Sequence, residues 1–315
     1  MPLRVVINYQ EFADVELEKA VIRAVFPDAE IIESHARDAK AFIEESGAVD
    51  AALVQYADVN REVIDAQRAC RGYVRNGIGY NNIDAAYAAE RGKYVANCPL
   101  YCLDEVSNHA LALLLALNRK LFTINELLRQ GAYHITKVGR VPRLADCTAG
   151  LVGMGNIARA FAVKLRPLVR RIVFYDPYVE AHEQCEKVDL ETLCAESDYV
   201  SLHLPFTPDT RNVIGVAEIA RMGPATCIIN TGRGGTLDEE ALGAALRESR
   251  LGGAALDVFA DEPLTLDSPL WGLPNVILTD HAAWFSEGAV EEMKRTSAGQ
   301  VVELLRGERP RHAVN

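Results

Sequence analysis

Gly150-Leu151-Val152-Gly153-Met154-Gly155-Asn156-Ile157-Ala158 is the stretch whose reading decides the fold. Thr148 and Ala149 open an apolar run ahead of it, and Ile157-Ala158-Arg159-Ala160-Phe161-Ala162 behind it has helical spacing. The loop therefore joins a buried strand to a helix. Gly153 permits the tight turn, Gly155 lets a pyrophosphate approach the backbone at the positive end of the helix, and Ala158 takes the third small position, where helix and strand pack closely. Alone, a GxGxxA match is a weak signal. Here a strand pattern follows at Arg171 to Tyr175, and Asp176 comes about twenty residues after the loop, where an acid grips the adenosine ribose hydroxyls. The chain reads as a dinucleotide binder. The alternative is an ordinary strand-to-helix turn with Asp176 capping a loop.

Outward from that loop, strand patterns at Thr148–Val152, Arg171–Tyr175, Tyr199–His203, Thr226–Asn230, Gly253–Leu256 and Val276–Leu278 alternate with helical ones, which fits a doubly wound sheet. Residues 1–99 repeat the alternation, with strand patterns at Arg4–Asn8, Glu30–Glu33, Ala51–Val54, Gly72–Arg75 and Lys93–Ala96. They lack a dinucleotide loop after their first strand and so form a second α/β domain with another task. A single helix is predicted from Asp104 to Gln130, with an apolar face from Val106 to Leu128. A basic segment, Gly131 to Asp146, follows as a loop or interface arm. The last helix, Ser286 to Arg306, is stopped by Gly307 and expected to return to the first domain. The fold class is α/β: two doubly wound parallel-sheet domains, a Rossmann domain (101–283, including the helix 104–130) inserted into a flavodoxin-like substrate domain (1–100 and 284–315).

The composition narrows the function classes. The chain has 315 residues, 49% hydrophobic and 24% charged, with a net charge of −11, which argues against non-specific nucleic-acid or anionic-membrane binding. Pro2-Leu3-Arg4 runs straight into the strand Val5-Val6-Ile7, without a signal-peptide pattern. The longest apolar run, Ala110 to Leu117, is too short to span a bilayer. The seven scattered cysteines point to reduced thiols in a cytoplasmic protein. Cys98 and Cys102 lack a second pair at metal spacing, so no metal is expected.

The chemistry sits at strand ends. Asn230-Thr231-Gly232-Arg233-Gly234-Gly235, Asp261-Glu262-Pro263 and Thr279-Asp280-His281-Ala282-Ala283-Trp284 follow successive strands of the nucleotide domain. Hydride transfer to a 2-keto acid needs such a set: a proton donor for the carbonyl oxygen, a carboxylate to hold the imidazole, and a cation to orient the substrate carboxylate. The bland alternatives are a core salt bridge between Arg233 and Glu262 and a surface His281. Each alone outweighs catalysis, but the three together beside a cofactor loop reverse that.

Over nearly its whole length the chain resembles the D-isomer-specific 2-hydroxy acid dehydrogenases. RNGIGYNNID (Arg75–Asp84), GLVGMGNIA, YDP (Tyr175–Pro177), HLPFTPDTRN (His203–Asn212), NTGRGG, GAALDVFADEPL (Gly253–Leu264) and HAAW (His281–Trp284) carry the resemblance. It implies that Arg233 binds the substrate carboxylate, His281 is the general acid or base, and Glu262 fixes its tautomer. It also implies that Arg75 and the turn Gly77-Ile78-Gly79 meet the substrate carboxylate. Gly153, Gly155, Asn156, Ile157 and Asp176 would hold the dinucleotide, His203, Pro205 and Thr210 would line its adenosine side, and Thr231 and Asp257 would flank the nicotinamide. Asp176, followed by Pro177 and Tyr178 and no close cation, favours NAD over NADP.

HAAWFSE and FYDPY resemble the C-terminal-binding-protein-like branch, which would set Trp284 over the substrate; helix packing is the alternative for that residue. Asp280 stands where many relatives have Pro, Asn81 where Asp is usual, and Ala158 for the third Gly. His109 reads as a satisfied core or interface residue, and His35, His134, His182 and His312 receive no role. The expected activity is NAD-dependent reduction of a small 2-keto acid to the D-2-hydroxy acid by a homodimer. The rival is an NAD(H)-sensing binding protein of corepressor type. A third option, a phosphorylated acid as substrate, needs cations beyond Arg75.

Overall fold

The computed structural model describes residues 2–133 and 135–315; His134 therefore lies outside the described residues. The chain separates into two compact units, 1–102 with 286–315, and 103–285.

In the first unit, β1 (Arg4–Asn8), β2 (Glu30–Ser34), β3 (Ala51–Val54), β4 (Gly72–Arg75) and β5 (Tyr94–Ala96) form a parallel sheet in the order β2-β1-β3-β4-β5. Successive residues of a strand face opposite sides. Val5, Ile7, Leu53 and Val74 accordingly join one core, with Val301 and Leu304, while Val6, Val54, Tyr73 and Val95 join another, with Phe42 and Ile64. Both faces are covered over the middle of the sheet, which explains why Val5-Val6-Ile7 and Ala51–Val54 read as continuous apolar runs, whereas the edge strand β2 keeps Glu30 and Glu33 exposed. The C-terminal helix α11 (Glu287–Leu305) belongs to this unit and packs along α1 (Glu16–Arg23) and over β3 and β4. Ser286 caps it by accepting from the Ala289 N–H, and Gly307 follows it at φ +79°.

The second unit holds seven strands, one more than the apolar pattern predicts. β6 (Thr148–Val152), β7 (Arg171–Tyr175), β8 (Glu186–Lys187), β9 (Tyr199–Leu202), β10 (Cys227–Asn230), β11 (Gly253–Leu256) and β12 (Val276–Leu278) lie in the order β12-β11-β10-β9-β6-β7-β8, every pair parallel. β8 is two exposed polar residues on the edge, so hydrophobic patterning carries no trace of it. The chain leaves β6 toward β7 and returns to β6's other side as β9. That reversal makes the crevice beyond the C-terminal ends of β6 and β9 the topological switch point, where ligands bind in open parallel sheets.

The single helix expected over Asp104–Gln130 is two. α5 (Leu103–Arg119) ends before Lys120, which sits in the left-handed region at φ 55°, and α6 (Leu121–Arg129) begins after it. The cause is packing. Ala110, Leu113, Leu114 and Leu117 of α5 enter the core with Leu151 and Phe161, and the Asn118 amide donates to Tyr199 Oη at 2.9 Å. Beyond Lys120, α6 buries none of its residues. The apolar stripe keeps its period across the break, so a one-residue reversal at a lysine leaves no signal in it. Among the described residues no helix is long and apolar enough to cross a membrane.

Candidate active site

The dinucleotide loop is built around two glycines with different reasons to be glycine. Gly153 has φ +94°, and a Cβ there would lie 2.8 Å from Leu204 Cδ2 and 2.9 Å from the His203 carbonyl oxygen. The protein itself excludes any other residue. Gly155, the residue before α7 (Asn156–Leu165), has φ −76°, and a Cβ on it would meet nothing within 4 Å. No protein atom requires that glycine, so the open space in front of it suits a ligand approaching the backbone. The helix that begins at Asn156 and Ile157 has no side-chain cap, which leaves its first N–H groups for an anion. Ala158 is fully buried, as close strand–helix packing requires.

Asp176 both caps its loop and faces the switch point. Its Oδ2 accepts from the Met154 N–H at 2.8 Å, and its Oδ1 from Tyr178 and Val179 N–H at 2.8 and 3.1 Å. A carboxylate offers about four acceptor sites, so capacity for a ribose hydroxyl remains. His203 follows β9 and is half-buried, with Nε2 3.0 Å from Ser201 Oγ. Burial lowers its pKa to about 4, so the ring is neutral at physiological pH. Among the described residues, the buried atoms His203 Nδ1 and Thr231 Oγ1 have no hydrogen-bond partner. Orphaned polar atoms at the ends of β9 and β10, together with the open space at Gly155, fit a dinucleotide. The Thr210 hydroxyl donates to Pro205 O at 2.7 Å and closes the Pro205–Thr210 turn that follows His203.

Arg233, Glu262 and His281 leave the C-terminal ends of β10, β11 and β12. His281 Nδ1 is 2.7 Å from Glu262 Oε2, with the two side chains 40% and 37% exposed and therefore within reach of a substrate. The other Glu262 oxygen accepts from the Phe259 N–H at 3.0 Å, which fixes the carboxylate to its own loop. Burial alone would raise the Glu262 carboxyl. The hydrogen bond and charge of His281, the Phe259 amide and the Arg233 guanidinium outweigh burial and hold it below its ordinary value. Glu262 is thus an acceptor at neutral pH, so Nδ1 of His281 carries hydrogen toward it and Nε2 is the atom left for proton transfer.

The Arg233 turn is held by its backbone. The fully buried Asn230 donates to Arg233 O at 2.9 Å and accepts from the Gly232 N–H at 3.0 Å, and Thr236 Oγ1 also donates to Arg233 O. A Cβ on Gly234 would fall 1.8 Å from the Phe259 carbonyl carbon, so the Arg233 and Glu262 loops touch through that glycine. Asn230 and Gly234 are supports that residue-by-residue reading passes over, although both stand inside the NTGRGG motif.

His281 has φ 58°, the left-handed region, where a residue with a Cβ costs about 1–2 kcal/mol. Such strain persists only where neighbours over-determine it. Here they centre on Asp257, whose carbonyl accepts the His281 N–H at 2.8 Å. Asp257, which the resemblance sets beside the nicotinamide, is fully buried, and its carboxylate accepts from Thr279, Ala282 and Ala283, so it also holds the loop that carries His281.

Trp284 is half-buried and meets the Phe285 ring edge-on at 5.7 Å between centroids. Asp280 and Asn81 are exposed. In the first unit, Gly77 has φ +142° and sits against the Arg75 guanidinium, while the Gly77 and Ile78 carbonyls accept from the Cys98 N–H and the Asn97 amide at 2.9 and 2.7 Å. Gly79 follows in the same turn. All seven cysteines are buried free thiols, and among the described residues no group of three or more His, Cys, Asp or Glu could hold a metal ion.

Residues 111–283 match the model of the D-isomer specific 2-hydroxyacid dehydrogenase, NAD binding domain. The chain is 36% identical to glyoxylate reductase of Korarchaeum cryptofilum over 284 residues, 88% of this chain and 86% of that one. It is also 36% identical to D-3-phosphoglycerate dehydrogenase of Synechocystis sp. over 272 residues, 84% of this chain but 49% of that longer protein. The NADPH-dependent glyoxylate/hydroxypyruvate reductase from Sinorhizobium meliloti, solved in complex with NADP and malonate, superposes with a TM-score of 0.84 at 26% identity, covering 100% of this chain and 97% of that one.

Proposed function

As a member of the D-isomer specific 2-hydroxyacid dehydrogenase family, the chain is a nicotinamide-dinucleotide oxidoreductase, and we propose that it reduces a small 2-keto acid to the D-2-hydroxy acid with NADH. The observation that carries this reading is the 2.7 Å contact of His281 Nδ1 with Glu262 Oε2, with the Arg233 charge acting on the same carboxylate. The bound dinucleotide supplies the hydride. Arg233 presents a planar fork to the substrate carboxylate, and its charge polarises the neighbouring keto group. His281 gives its Nε2 proton to the keto oxygen in reduction and takes it back in oxidation, while Glu262 keeps the ring oriented and its charged form balanced. Trp284 is the proposed wall for the substrate's side chain. The roles of Arg75, Gly77, Ile78 and Gly79 toward the substrate carboxylate rest on the family resemblance.

Asp176 favours NAD, because its carboxylate would repel a 2′-phosphate and the exposed Tyr178 offers that phosphate no cation. The Sinorhizobium reductase was solved with NADP, so both cofactors belong in the test. NADH and NADPH oxidation are followed against glyoxylate, pyruvate, hydroxypyruvate and longer 2-keto acids. The expected result is turnover of at least one acid with NADH preferred. Cofactor binding without turnover of any acid would instead favour the sensing rival.

The seven buried thiols suit a reducing cytoplasm. A homodimer through α6 and the segment after it is supported by exposed Leu121, Phe122, Leu128, Tyr133 and Ile135, which are 54 to 86% accessible. Light scattering at micromolar concentration should give twice the chain mass, and Phe122→Asp should shift the protein toward monomer. A wild-type monomer would contradict the proposed interface.

A further inference from the structure

His109 takes no part in the dinucleotide loop or in the proton transfer described above, yet it stands directly behind the loop that carries His281. It lies on α5, which packs against β10 and β11. Its Nε2 is 3.1 Å from Thr279 Oγ1, and Thr279 Oγ1 is 2.5 Å from Asp257 Oδ1. The direction of these bonds follows from the groups present. The two Asp257 oxygens already accept amide hydrogens, Oδ1 from Ala282 and Oδ2 from Ala283, each at 3.0 Å. Asp257 is therefore the acceptor, and the single hydroxyl hydrogen of Thr279 goes to it. The Thr279 oxygen is left to accept, so His109 Nε2 carries the hydrogen between the two residues. The chain of donors runs from α5 through Thr279 to Asp257, which holds the backbone of His281 and of the two residues after it: its carbonyl takes the His281 N–H and its carboxylate the N–H groups of Ala282 and Ala283.

The environment makes each link count. The Asp257 side chain is 1% exposed, so no solvent replaces a lost donor, and His109 Nε2 also lies 3.5 Å from Asp257 Oδ1. His281 holds a left-handed backbone that its surroundings must enforce, and the amides of Ala282 and Ala283 are the next two links of that backbone. We propose that His109 is a positioning residue for His281: through Thr279 it fixes the Asp257 carboxylate that clamps the catalytic loop. The proposal rests on His281 being the general acid, and it extends the site to a residue of α5 that acts through Thr279 and Asp257.

The test compares His109→Leu, His109→Gln, Thr279→Val and the double variant His109→Leu/Thr279→Val in the full chain. Steady-state kinetics, NADH affinity by fluorescence and hydrogen exchange of residues 279–285 are measured on each. His109→Leu is expected to lower kcat about 10- to 100-fold, as loss of an orienting partner typically does, with KM and NADH affinity within about twofold. His109→Gln, which retains an N–H donor, should recover most of that loss. The double variant should be no worse than the poorer single one, because both cut the same chain. Exchange at 279–285 should quicken in His109→Leu. A kcat within about twofold of wild type, losses that multiply, or unchanged exchange would each overturn the proposal. If His109→Leu does not fold, His109→Gln and Thr279→Val carry the same comparison. A wild-type protein that turns over no keto acid would refute the reaction instead, and the exchange measurement would then decide the His109 proposal alone.

Discussion

His281→Asn is expected to lower kcat by about 10²- to 10⁴-fold while NADH binds as it does to the wild type, because a positioned general acid contributes about that much. The choice of asparagine matters. His281 sits at φ 58°, and Asn tolerates the left-handed backbone where Ala does not, so the loss in His281→Asn reports the missing imidazole and not a displaced loop. The size follows from the local geometry. Glu262 is held as a carboxylate, and its Oε2 fixes Nδ1 of His281. His203 does not substitute for it, since burial keeps its pKa at about 4 and its ring neutral. Turnover within about tenfold of wild type, measured by NADH oxidation with affinity checked by fluorescence, would remove His281 from the reaction.

Arg233→Ala should cut kcat/KM by about 10²- to 10⁴-fold, with a large part in KM, since truncating one partner of a hydrogen-bonded charge pair costs about 2–5 kcal/mol. The turn itself should survive, because Asn230 and Thr236 hold it through the Arg233 carbonyl and not through its side chain. Arg233→Lys restores the charge without the fork and should recover only part of the loss. A second consequence has a definite sign. The Arg233 charge is one of the influences that lower the Glu262 carboxyl, so its removal lets that carboxyl rise, and the acid-side limb of residual activity moves to higher pH. An unmoved limb together with an unchanged KM would mean that Arg233 faces neither substrate nor Glu262.

The architecture was legible wherever burial imposed a pattern. Strands covered on both faces, such as β3 and β6, appear in the sequence as unbroken apolar runs, and the glycines of the dinucleotide loop announce a turn that Gly153's surroundings enforce. What escaped was structure without an apolar signature. β8 is two charged residues held to β7 by parallel pairing and by the Arg171–Glu186 ion pair, and the helix break at Lys120 interrupts a stripe whose spacing does not change. In the candidate site, the proposed reacting groups stand out in the sequence because Arg, Glu and His at strand ends are chemically conspicuous. Their supports do not. Asp257 is as acidic as any cofactor contact, and only its full burial and its bonds to Thr279, Ala282 and Ala283 reveal a structural task. His109 lies 172 positions from His281 in sequence numbering, and no local spacing connects a helix residue to a loop that distant.

The most direct measurement of the central claim is product analysis. The protein is incubated with NADH and the 2-keto acid that it turns over fastest, and the products are separated by chiral chromatography while NADH loss is recorded. One D-2-hydroxy acid formed for each NADH consumed, and none in His281→Asn at matched cofactor occupancy, is the predicted result. An L-hydroxy acid, or NADH loss without any 2-hydroxy acid, would contradict it.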